Sequence, residues 1–384
     1  MFLARQLRRC VSVPDVRLLA KRRLPSPIFE YLDGGSEEEY TLRRNTRAFD
    51  EVKLSPRCLV DVRNVSTATT VLGARLEWPV FCSPTGASRF YHSEGELAVA
   101  RAAARSGTLY SLSTMSSYSL ENVAAASAGP KMFQLYIFRD RGITRDLIAR
   151  CRAAGYTALC LTVDTAVRGN RERELRSGMG APMRLTPASM LSIAMSPHWL
   201  MGLAAKGPLS MPNFAKSAKS SRMAEQTRFV ATQLDPSVTW KDVGEIIKLW
   251  GGPFAIKGIL SPDDAVHAAD LGATAVIVSN HGGRQLDGAV SPIEVLPQIV
   301  EAVGDRVEII LDGGVRRGVH VLKAMALGAK ACSVGRPYLY GLGAGGEAGV
   351  TRALQLLRSE FVRSMQLAGC TDVHGIARSL VTKI

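Results

Sequence analysis

The sequence predicts an α/β protein built as a (β/α)8 TIM barrel, a closed ring of parallel strands surrounded by helices. From about residue 79, short apolar runs alternate with longer amphipathic stretches, the pattern of successive βα units. Eight such runs can be counted, the number that closes this barrel, and 384 residues suit one barrel with additions. We therefore expect a single domain, 1–384, with an N-terminal helical extension over about 1–75 and an insertion after strand 4 over about 165–240.

The expected strands are apolar runs separated by helical patterns. They are residues 79–82, 108–112, 131–136, 158–163, 254–257, 275–279, 307–312 and 331–335. Helix punctuation supports the division, because Ser261 and Pro262 are typical of a helix start, while Gly272 and Gly328 stand where helices are expected to end.

The insertion interrupts this rhythm with more than seventy residues rich in Ser, Pro, Met and Lys. A loop of that length is rarely without a role in a compact domain. Its segment 185–222 sets Met, Leu, Ile and Trp side chains beside lysines, which suits peripheral contact with a membrane interface. Packing against the barrel or a neighbouring subunit is an equally good interpretation.

Charge and cysteine usage narrow the possible partners. The formal net charge of +14 favours an anionic partner, but the sequence has no Cys/His finger spacing and no aromatic single-strand-binding motif, so nucleic acid is not expected. The seven cysteines are scattered and form no C-x-x-C pair, which indicates reduced thiols and a cytoplasmic location, with the inner face of the cell membrane as a peripheral site. The basic start lacks an apolar signal region.

Polar residues that end the apolar runs are candidates for a site, because these barrels form their active sites at the carboxyl ends of the strands. His281 follows such a run and precedes two glycines, so its imidazole is predicted to face the barrel mouth and act as a general base. Asp164 ends another run and could hold that imidazole in one tautomer. A purely structural histidine, and an aspartate that caps its own turn, are the alternatives.

Three cations suggest anionic ligands. Arg171 and Arg284 could grip a substrate carboxylate with their guanidinium forks, although Arg171 could equally lie on a solvated face. Lys257 follows an apolar run, and since an unpaired buried ammonium is costly, it is expected to face an anion such as the electron-rich edge of a reduced flavin. A Schiff-base lysine is the competing interpretation.

Two glycine-rich turns, LDGGVRRG and SVGRP, each carry an arginine after the seventh and eighth strands, where barrels commonly bind phosphate. They predict a phosphate group on a cofactor or substrate. The sequence has no G-x-x-x-x-G-K-[ST] loop and no G-x-G-x-x-G opening a helix, which disfavours nucleoside triphosphates and NAD. No metal-ligand spacing is present, so no metal is predicted.

Nine segments, taken in order, resemble one family. They are RRLPSPIFEYLDGGSEEEYTLRRN, SPTG, SLST, FQLY, LTVD, IKGI, VSNHGGRQLDG, LDGGVRRG and VGRP. The family is that of the FMN-dependent 2-hydroxy-acid oxidising enzymes, which include lactate dehydrogenases, glycolate oxidases, mandelate dehydrogenases and flavocytochrome b2. The resemblance covers nearly the whole chain and implies FMN as cofactor and a small L-2-hydroxy acid as substrate, with L-lactate favoured and glycolate and mandelate open.

The resemblance also implies roles for individual residues. FMN would be bound by Pro84, Thr85, Gly86, Ser113, Gln134, Thr162, Lys257, Ser279, Asp312, Gly314, Arg316, Gly335 and Arg336, with Lys257 beside the flavin ring and the phosphate at Asp312, Arg316 and Arg336. Substrate would be bound by Tyr31, Tyr136, Arg171, His281 and Arg284. The catalytic residues would be His281, Asp164, Tyr136 and Arg284.

The electron acceptor is the least constrained part of this interpretation. Gly86 is similar to the dehydrogenases of the family, whereas its oxidases carry alanine, and NRERELRSGM with the apolar insertion resembles membrane-associated bacterial L-lactate dehydrogenases. A quinone or cytochrome acceptor and a homotetramer are therefore expected. The alternatives are an oxygen-using oxidase that produces hydrogen peroxide and a non-catalytic membrane-associated barrel scaffold.

Overall fold

A computed structural model of the protein describes residues 2–180 and 183–383, and it contains a closed parallel barrel. The strands are β1 (Lys53–Leu54), β2 (Thr69–Val71), β3 (Ala74–Leu76), β4 (Val80–Cys82), β5 (Tyr110–Ser113), β6 (Lys131–Leu135), β7 (Ala158–Thr162), β8 (Phe254–Ile259), β9 (Ala275–Ser279), β10 (Glu308–Asp312), β11 (Ala331–Val334) and β12 (Val381–Lys383). Strands β4 to β11 pair in parallel with their neighbours in chain order, and β11 closes the ring on β4. The predicted fold class is confirmed.

Helices follow every barrel strand. The α-helices are α1 (Phe2–Arg9), α2 (Val13–Arg23), α3 (Ser26–Asp33), α4 (Tyr40–Arg47), α5 (Gly95–Arg105), α6 (Leu120–Ala126), α7 (Arg141–Ala153), α8 (Glu172–Ser177), α9 (Pro187–Ala194), α10 (Pro197–Ala205), α11 (Met223–Gln233), α12 (Trp240–Trp250), α13 (Pro262–Asp270), α14 (Pro292–Val303), α15 (Gly318–Ala326) and α16 (Arg336–Leu367). Short 3-10 helices lie at Ala48–Asp50, Ser88–Phe90, Pro212–Phe214, Val373–Gly375 and Arg378–Leu380. Helices α1 to α4 form the N-terminal extension, and α8 to α11 lie in the insertion.

The predicted strands are in the right places, but several of their ends are wrong by one or two residues. The largest shifts are at β5, which begins at Tyr110 instead of Thr108, and at β8, which continues to Ile259. In β8 the ladder shifts register after Lys257, because Gly258 has a φ of +109°. A Cβ on Gly258 would lie 2.7 Å from the Cβ of Asp164, so this bulge lets the two chain segments approach closely.

The barrel strands lie between two apolar cores, one inside the barrel and one outside it. The inner core fills the barrel with side chains such as Phe81, Met132 and Ile277, and the β2–β3 hairpin closes its amino-terminal end with Val71 and Leu76. The outer core lies between the strands and the helices. Because side chains alternate along a strand, the residue two positions after each inward apolar side chain also points inward, but at the carboxyl end of the barrel.

The insertion has two differently packed parts. Its stretch 206–208 is tied to the barrel by Arg89, a buried side chain that donates to the carbonyls of these three residues at 2.7 to 3.0 Å. Trp199 of α10 donates from Nε1 to the carbonyl of Phe90 at 2.6 Å. These contacts show that the insertion packs beside the loop that follows β4.

Helices α9 and α10 are the poorly covered part. None of the nine residues of α10, all of which the structure describes, is buried, and the only buried residue of α9 is Ser189. Large apolar side chains on and beside these helices are exposed: Met183, Met190, Leu191, Met195, Leu200 and Met201. The chain therefore covers part of this apolar run through Trp199, while the exposed side chains have no cover from the described residues.

Candidate active site

A ring of polar side chains lies at the carboxyl ends of the barrel strands. Each member stands two positions after an inward residue, as strand alternation requires. The ring consists of Ser83, Ser113, Gln134, Thr162, Lys257, Ser279, Asp312 and Ser333, all of which are buried. Buried polar groups need partners, so the hydrogen bonds inside this ring show how it is organised.

Asp312 is the centre of that organisation. Its carboxylate lies 3.0 Å from Lys257 Nζ and accepts hydrogen bonds from the hydroxyls of Ser83 at 2.6 Å and Ser279 at 2.7 Å, and from that of Ser333. Burial alone would lower the pKa of the Lys257 ammonium, but Asp312 and Asp164 outweigh it and raise that pKa above its ordinary value. Lys257 is therefore a charged, fixed group at the barrel mouth, and Asp312 is its counter-ion.

His281 lies beside this pair on the loop after β9. Its backbone has a φ of +58°, an uncommon conformation for a non-glycine residue, and its amide donates to Ser279 Oγ at 3.1 Å. Imidazole Nδ1 lies 2.9 Å from Asp164 Oδ1. A carboxylate at Nδ1 favours the tautomer that carries the proton there and leaves Nε2 as a free acceptor.

The pKa directions agree with that assignment. Burial, assisted by the charges of Lys257 and Arg171, lowers the pKa of His281 below 6.5 despite the attraction of Asp164. Burial would raise the pKa of Asp164, but the charge and hydrogen bond of His281, together with Lys257, hold it below its ordinary value. At neutral pH the pair is therefore an ionised carboxylate and a neutral imidazole, the state that a general base requires.

The two glycine-rich turns, which follow β10 and β11, bring arginines to the same mouth next to the loop that carries His281. Arg336 is buried, and its guanidinium donates to the carbonyls of Leu32 at 3.2 Å, Gly282 at 2.9 Å and Gly34 at 2.7 Å. Among the residues that the structure describes, no carboxylate forms a salt bridge with it. Burial lowers its pKa to about 10. A buried guanidinium with no carboxylate in direct contact leaves a positive potential that attracts an anion.

The two arginines predicted to bind substrate, Arg171 and Arg284, lie at the same mouth. They share a partner that was not predicted from the sequence. Arg284 stacks over the ring of Tyr31 at 5.3 Å and donates to the Tyr31 and Gly34 carbonyls at 2.9 Å. Arg284 and Arg171 both approach the carboxylate of Glu174. A solvated position for Arg171 is thereby contradicted, because its side chain is only 14% exposed.

One cavity collects most of the predicted residues. Its walls include Tyr31, Pro84, Thr85, Gly86, Ser113, Tyr136, Arg171, Lys257, His281, Arg284, Asp312, Gly314, Arg316, Gly335 and Arg336. Three predicted cofactor residues do not border it: Gln134 bonds to Ser113, Ser279 bonds to Lys257 and Asp312, and Thr162 faces a neighbouring cavity behind Tyr136. Asp164 touches the cavity only through His281.

Other wall residues were not predicted. They are Leu32, Ser83, Tyr91, Met115, Gly282, Gly313, Val315, Ser333, Val334 and Leu339. Ser83 and Ser333 could have been found from strand alternation, because each follows an inward apolar residue by two positions. Tyr91 and Met115 stand in loops, where no periodic signal exists.

The model of the FMN-dependent dehydrogenase family matches residues 20–383. The chain belongs to this family. The family assignment confirms FMN as the cofactor.

Curated relatives and solved structures agree with the assignment. The chain is 44% identical to an L-lactate dehydrogenase of Caulobacter vibrioides (strain NA1000 / CB15N) over 97% of both chains, and 43% identical to an L-lactate oxidase of Nostoc sp. (strain PCC 7120 / SAG 25.82 / UTEX 2576) over 97% of this chain and 98% of that protein. The crystal structure of the monotopic membrane protein (S)-mandelate dehydrogenase superposes with a TM-score of 0.94 at 38% identity, covering 98% of this chain and 100% of that one.

The residues of the cavity fit FMN. The phosphate of FMN carries up to two negative charges, and the unpaired positive potential around Arg336 and the nearby Arg316 is where it would be held. Lys257 would face the ring, whose reduced form gains negative charge. Within residues 2–180 and 183–383, no group of three or more His, Cys, Asp or Glu side chains is arranged to hold a metal ion.

Proposed function

We propose that this FMN-dependent dehydrogenase oxidises a small L-2-hydroxy acid to the 2-oxo acid, with L-lactate as the favoured substrate, and that residues 1–384 act as one domain. The observation that carries the proposal is the convergence in one cavity of a neutral imidazole backed by a carboxylate, the half-buried guanidiniums of Arg171 and Arg284, and the buried ammonium of Lys257. A 2-hydroxy acid needs these groups: a base for its hydroxyl or α-hydrogen and cations for its carboxylate.

Each side chain then has a defined task. Arg171 and Arg284 bind the substrate carboxylate, Tyr136 contacts its hydroxyl or carboxylate, and His281 removes a proton. Asp164 stabilises the imidazolium that forms, since it already lies 2.9 Å from Nδ1. Bound FMN supplies the acceptor for the two electrons that leave the substrate. The same side chains serve whether the α-hydrogen leaves as a proton or as a hydride.

Tyr136 contributes a hydrogen-bonding group to the cavity wall. Burial raises the pKa of Tyr136 to about 12 despite the nearby Lys257, so this phenol stays neutral and can donate a hydrogen bond. Lactate is favoured because relatives at 44% and 43% identity are named for it, whereas those named for glycolate and mandelate are 38% identical. Comparison of L-lactate, glycolate and L-mandelate as reductants ranks these three directly.

We further propose a quinone or cytochrome acceptor, reached from a membrane on which the protein lies peripherally, and a homotetrameric assembly. The exposed apolar side chains of α9 and α10 support the membrane contact, as does the resemblance to a mandelate dehydrogenase described as monotopic. In the part of the chain that the structure describes, no helix has the length and apolarity to cross a bilayer.

An oxygen-using oxidase is the second candidate, because the 43% identical Nostoc relative is a lactate oxidase. Gly86 argues against an oxidase, because the oxidases of this family carry alanine at the position where the dehydrogenases carry glycine. A Cβ at this position would meet Met115 Cβ at 2.9 Å and its carbonyl oxygen at 3.1 Å, so an alanine requires the Met115 segment to move. Hydrogen peroxide formed in air in a one-to-one ratio with the oxo acid would decide for the oxidase.

A single anaerobic titration tests the proposal. The purified protein is expected to show the absorption bands of oxidised flavin, and L-lactate added without oxygen should bleach them by two electrons per site. A protein that binds no flavin would support the scaffold alternative. A protein whose bands persist with L-lactate, glycolate and L-mandelate would contradict 2-hydroxy-acid oxidation.

A further inference from the structure

We propose that Glu174 is a positioning residue that holds the substrate arginines Arg171 and Arg284 in the active cavity by giving both of them one shared negative charge. This inference rests on the proposed function, in which these two arginines bind the substrate carboxylate. In the sequence, Glu174 is one of several charged residues in the segment NRERELR, and no motif distinguishes it from its neighbours.

The geometry separates Glu174 from those neighbours. Its side chain is only 2% exposed, although it lies in the short helix α8 of the insertion. Oε1 accepts a hydrogen bond from Arg284 Nη2 at 2.6 Å and lies 3.6 Å from Arg171 Nη1, and Oε2 accepts from Arg168 Nη2 at 2.5 Å. One buried carboxylate therefore contacts three guanidiniums, two of which border the cavity.

The other contacts that the structure describes for Arg171 and Arg284 are with neutral groups. Arg171 otherwise donates to the Arg284 carbonyl at 3.0 Å and to the Gln285 side-chain oxygen at 3.3 Å, and both of these acceptors are neutral. Among the described residues, Glu174 is the one carboxylate in salt-bridge contact with Arg171 or Arg284. Like charges that lose their counter-ion move apart or turn towards solvent, so loss of Glu174 would displace Arg171 and Arg284 from the positions in which they bind the substrate carboxylate.

Glu174 compensates this cluster without neutralising it. One carboxylate against the three guanidiniums of Arg168, Arg171 and Arg284 leaves an excess of positive charge. A second carboxylate, that of the substrate, is therefore still attracted to the cavity side of the cluster. Glu174 would thus fix the positions of the arginines while their charge remains available for binding.

A merely structural role for Glu174, such as anchoring α8, would affect folding and FMN retention but not ligand binding in particular. The test therefore measures both. FMN content and unfolding report on the fold. The Kd of oxalate, a carboxylate ligand whose binding is measured from the change in the bound FMN spectrum, reports on the two arginines. The Michaelis constant and the maximal rate of anaerobic FMN reduction by L-lactate separate binding from chemistry.

Three substitutions grade the loss. For Glu174→Ala we expect the oxalate Kd and the KM for lactate to rise by about tenfold or more, with a smaller fall in the maximal rate. Glu174→Asp keeps the charge and should recover most of the affinity, whereas Glu174→Gln keeps the shape without the charge and should recover less. The matched control is Glu172→Gln, since Glu172 lies on the same helix and, among the described residues, forms a salt bridge with the exposed Arg176 alone. This substitution should change both constants by less than about twofold.

An oxalate Kd in Glu174→Ala within about twofold of wild type would overturn the inference. If Glu174→Ala does not retain FMN, the decision passes to the other two variants, and tighter oxalate binding by Glu174→Gln than by Glu174→Asp would overturn it. Failure of the proposed function is recognised separately, because wild-type FMN would then not be bleached by any of the three hydroxy acids.

Discussion

The barrel strands and the helices α9 and α10 of the insertion are similarly apolar, yet they are opposites in burial. Every residue of β9, AVIVS, is buried, whereas α10, PHWLMGLAA, has no buried residue. The strand packs in the inner and outer cores, whereas the helix reaches the outer core with the partly buried Trp199, which donates to the carbonyl of Phe90. Apolar composition therefore predicts a demand for a partner, and only the rest of the fold decides whether the chain itself supplies it.

The largest expected difference between the two regions is in the rate of FMN reduction. His281→Gln should lower the rate of anaerobic FMN reduction by about 10² to 10⁴-fold, because glutamine cannot accept the proton, while FMN stays bound. His198→Gln, on α10, should leave that rate unchanged, since this side chain is exposed. Rapid mixing with L-lactate measures both. Normal bleaching by His281→Gln would refute its assignment as the base.

Two identical substitutions compare the regions for stability. Leu161→Ala in β7, where the side chain is 1% exposed, should lower the free energy of unfolding by about 2–5 kcal/mol. Leu191→Ala in α9, where it is 62% exposed, should change it by no more than about 0.5 kcal/mol. Denaturant titrations at saturating FMN measure both values. Equal losses would mean that α9 is covered in solution, for example by another subunit.

The pH dependence of stability should come from the barrel side. His320 stacks on Phe49 with ring centroids 4.3 Å apart, and burial lowers its pKa to about 3. The imidazole of His320 therefore binds a proton more readily in the unfolded chain than in the folded one. The contribution of His320 to the free energy of unfolding is complete above pH ~6.5, and it decreases by about 2 kcal/mol between pH 7.5 and 5.

The histidine variants locate this dependence. Unfolding of His320→Gln should vary less steeply with pH between pH ~7.5 and 5 than that of the wild type, while His198→Gln on the exposed α10 should keep the wild-type slope. Equal slopes in His320→Gln and the wild type would assign the effect to another group.

The smallest expected effect concerns the membrane. Replacing Leu191, Met195 and Met201 together by serine should weaken sedimentation with vesicles of phosphatidylcholine and phosphatidylglycerol, because each side chain contributes a modest apolar area to an interface. FMN reduction by L-lactate should stay at the wild-type rate. Unchanged vesicle binding would remove α9 and α10 as the contact surface and favour their use between subunits.

The barrel, its strand order and most of the polar residues at the carboxyl ends of its strands could be predicted from the sequence. Strand alternation depends only on neighbouring residues, and the location of sites at strand ends holds for all barrels of this kind. His281 and Lys257 were found in this way. Glu174 and the partners of Arg336 were not, since they depend on segments distant in sequence that meet only in the folded chain. No periodic pattern in the sequence indicates that the carbonyls of Leu32 and Gly34 bond to Arg336.

That return of the N-terminal segment has a consequence for biosynthesis. The carbonyl of Gly34 accepts hydrogen bonds from both Arg284 and Arg336, so one peptide group near the start of the chain joins two rim residues synthesised much later. The ring of contacts closes only once Arg336 has emerged from the ribosome. FMN should accordingly load only after Arg336 has been synthesised, and a translation product stalled before β11 should remain colourless.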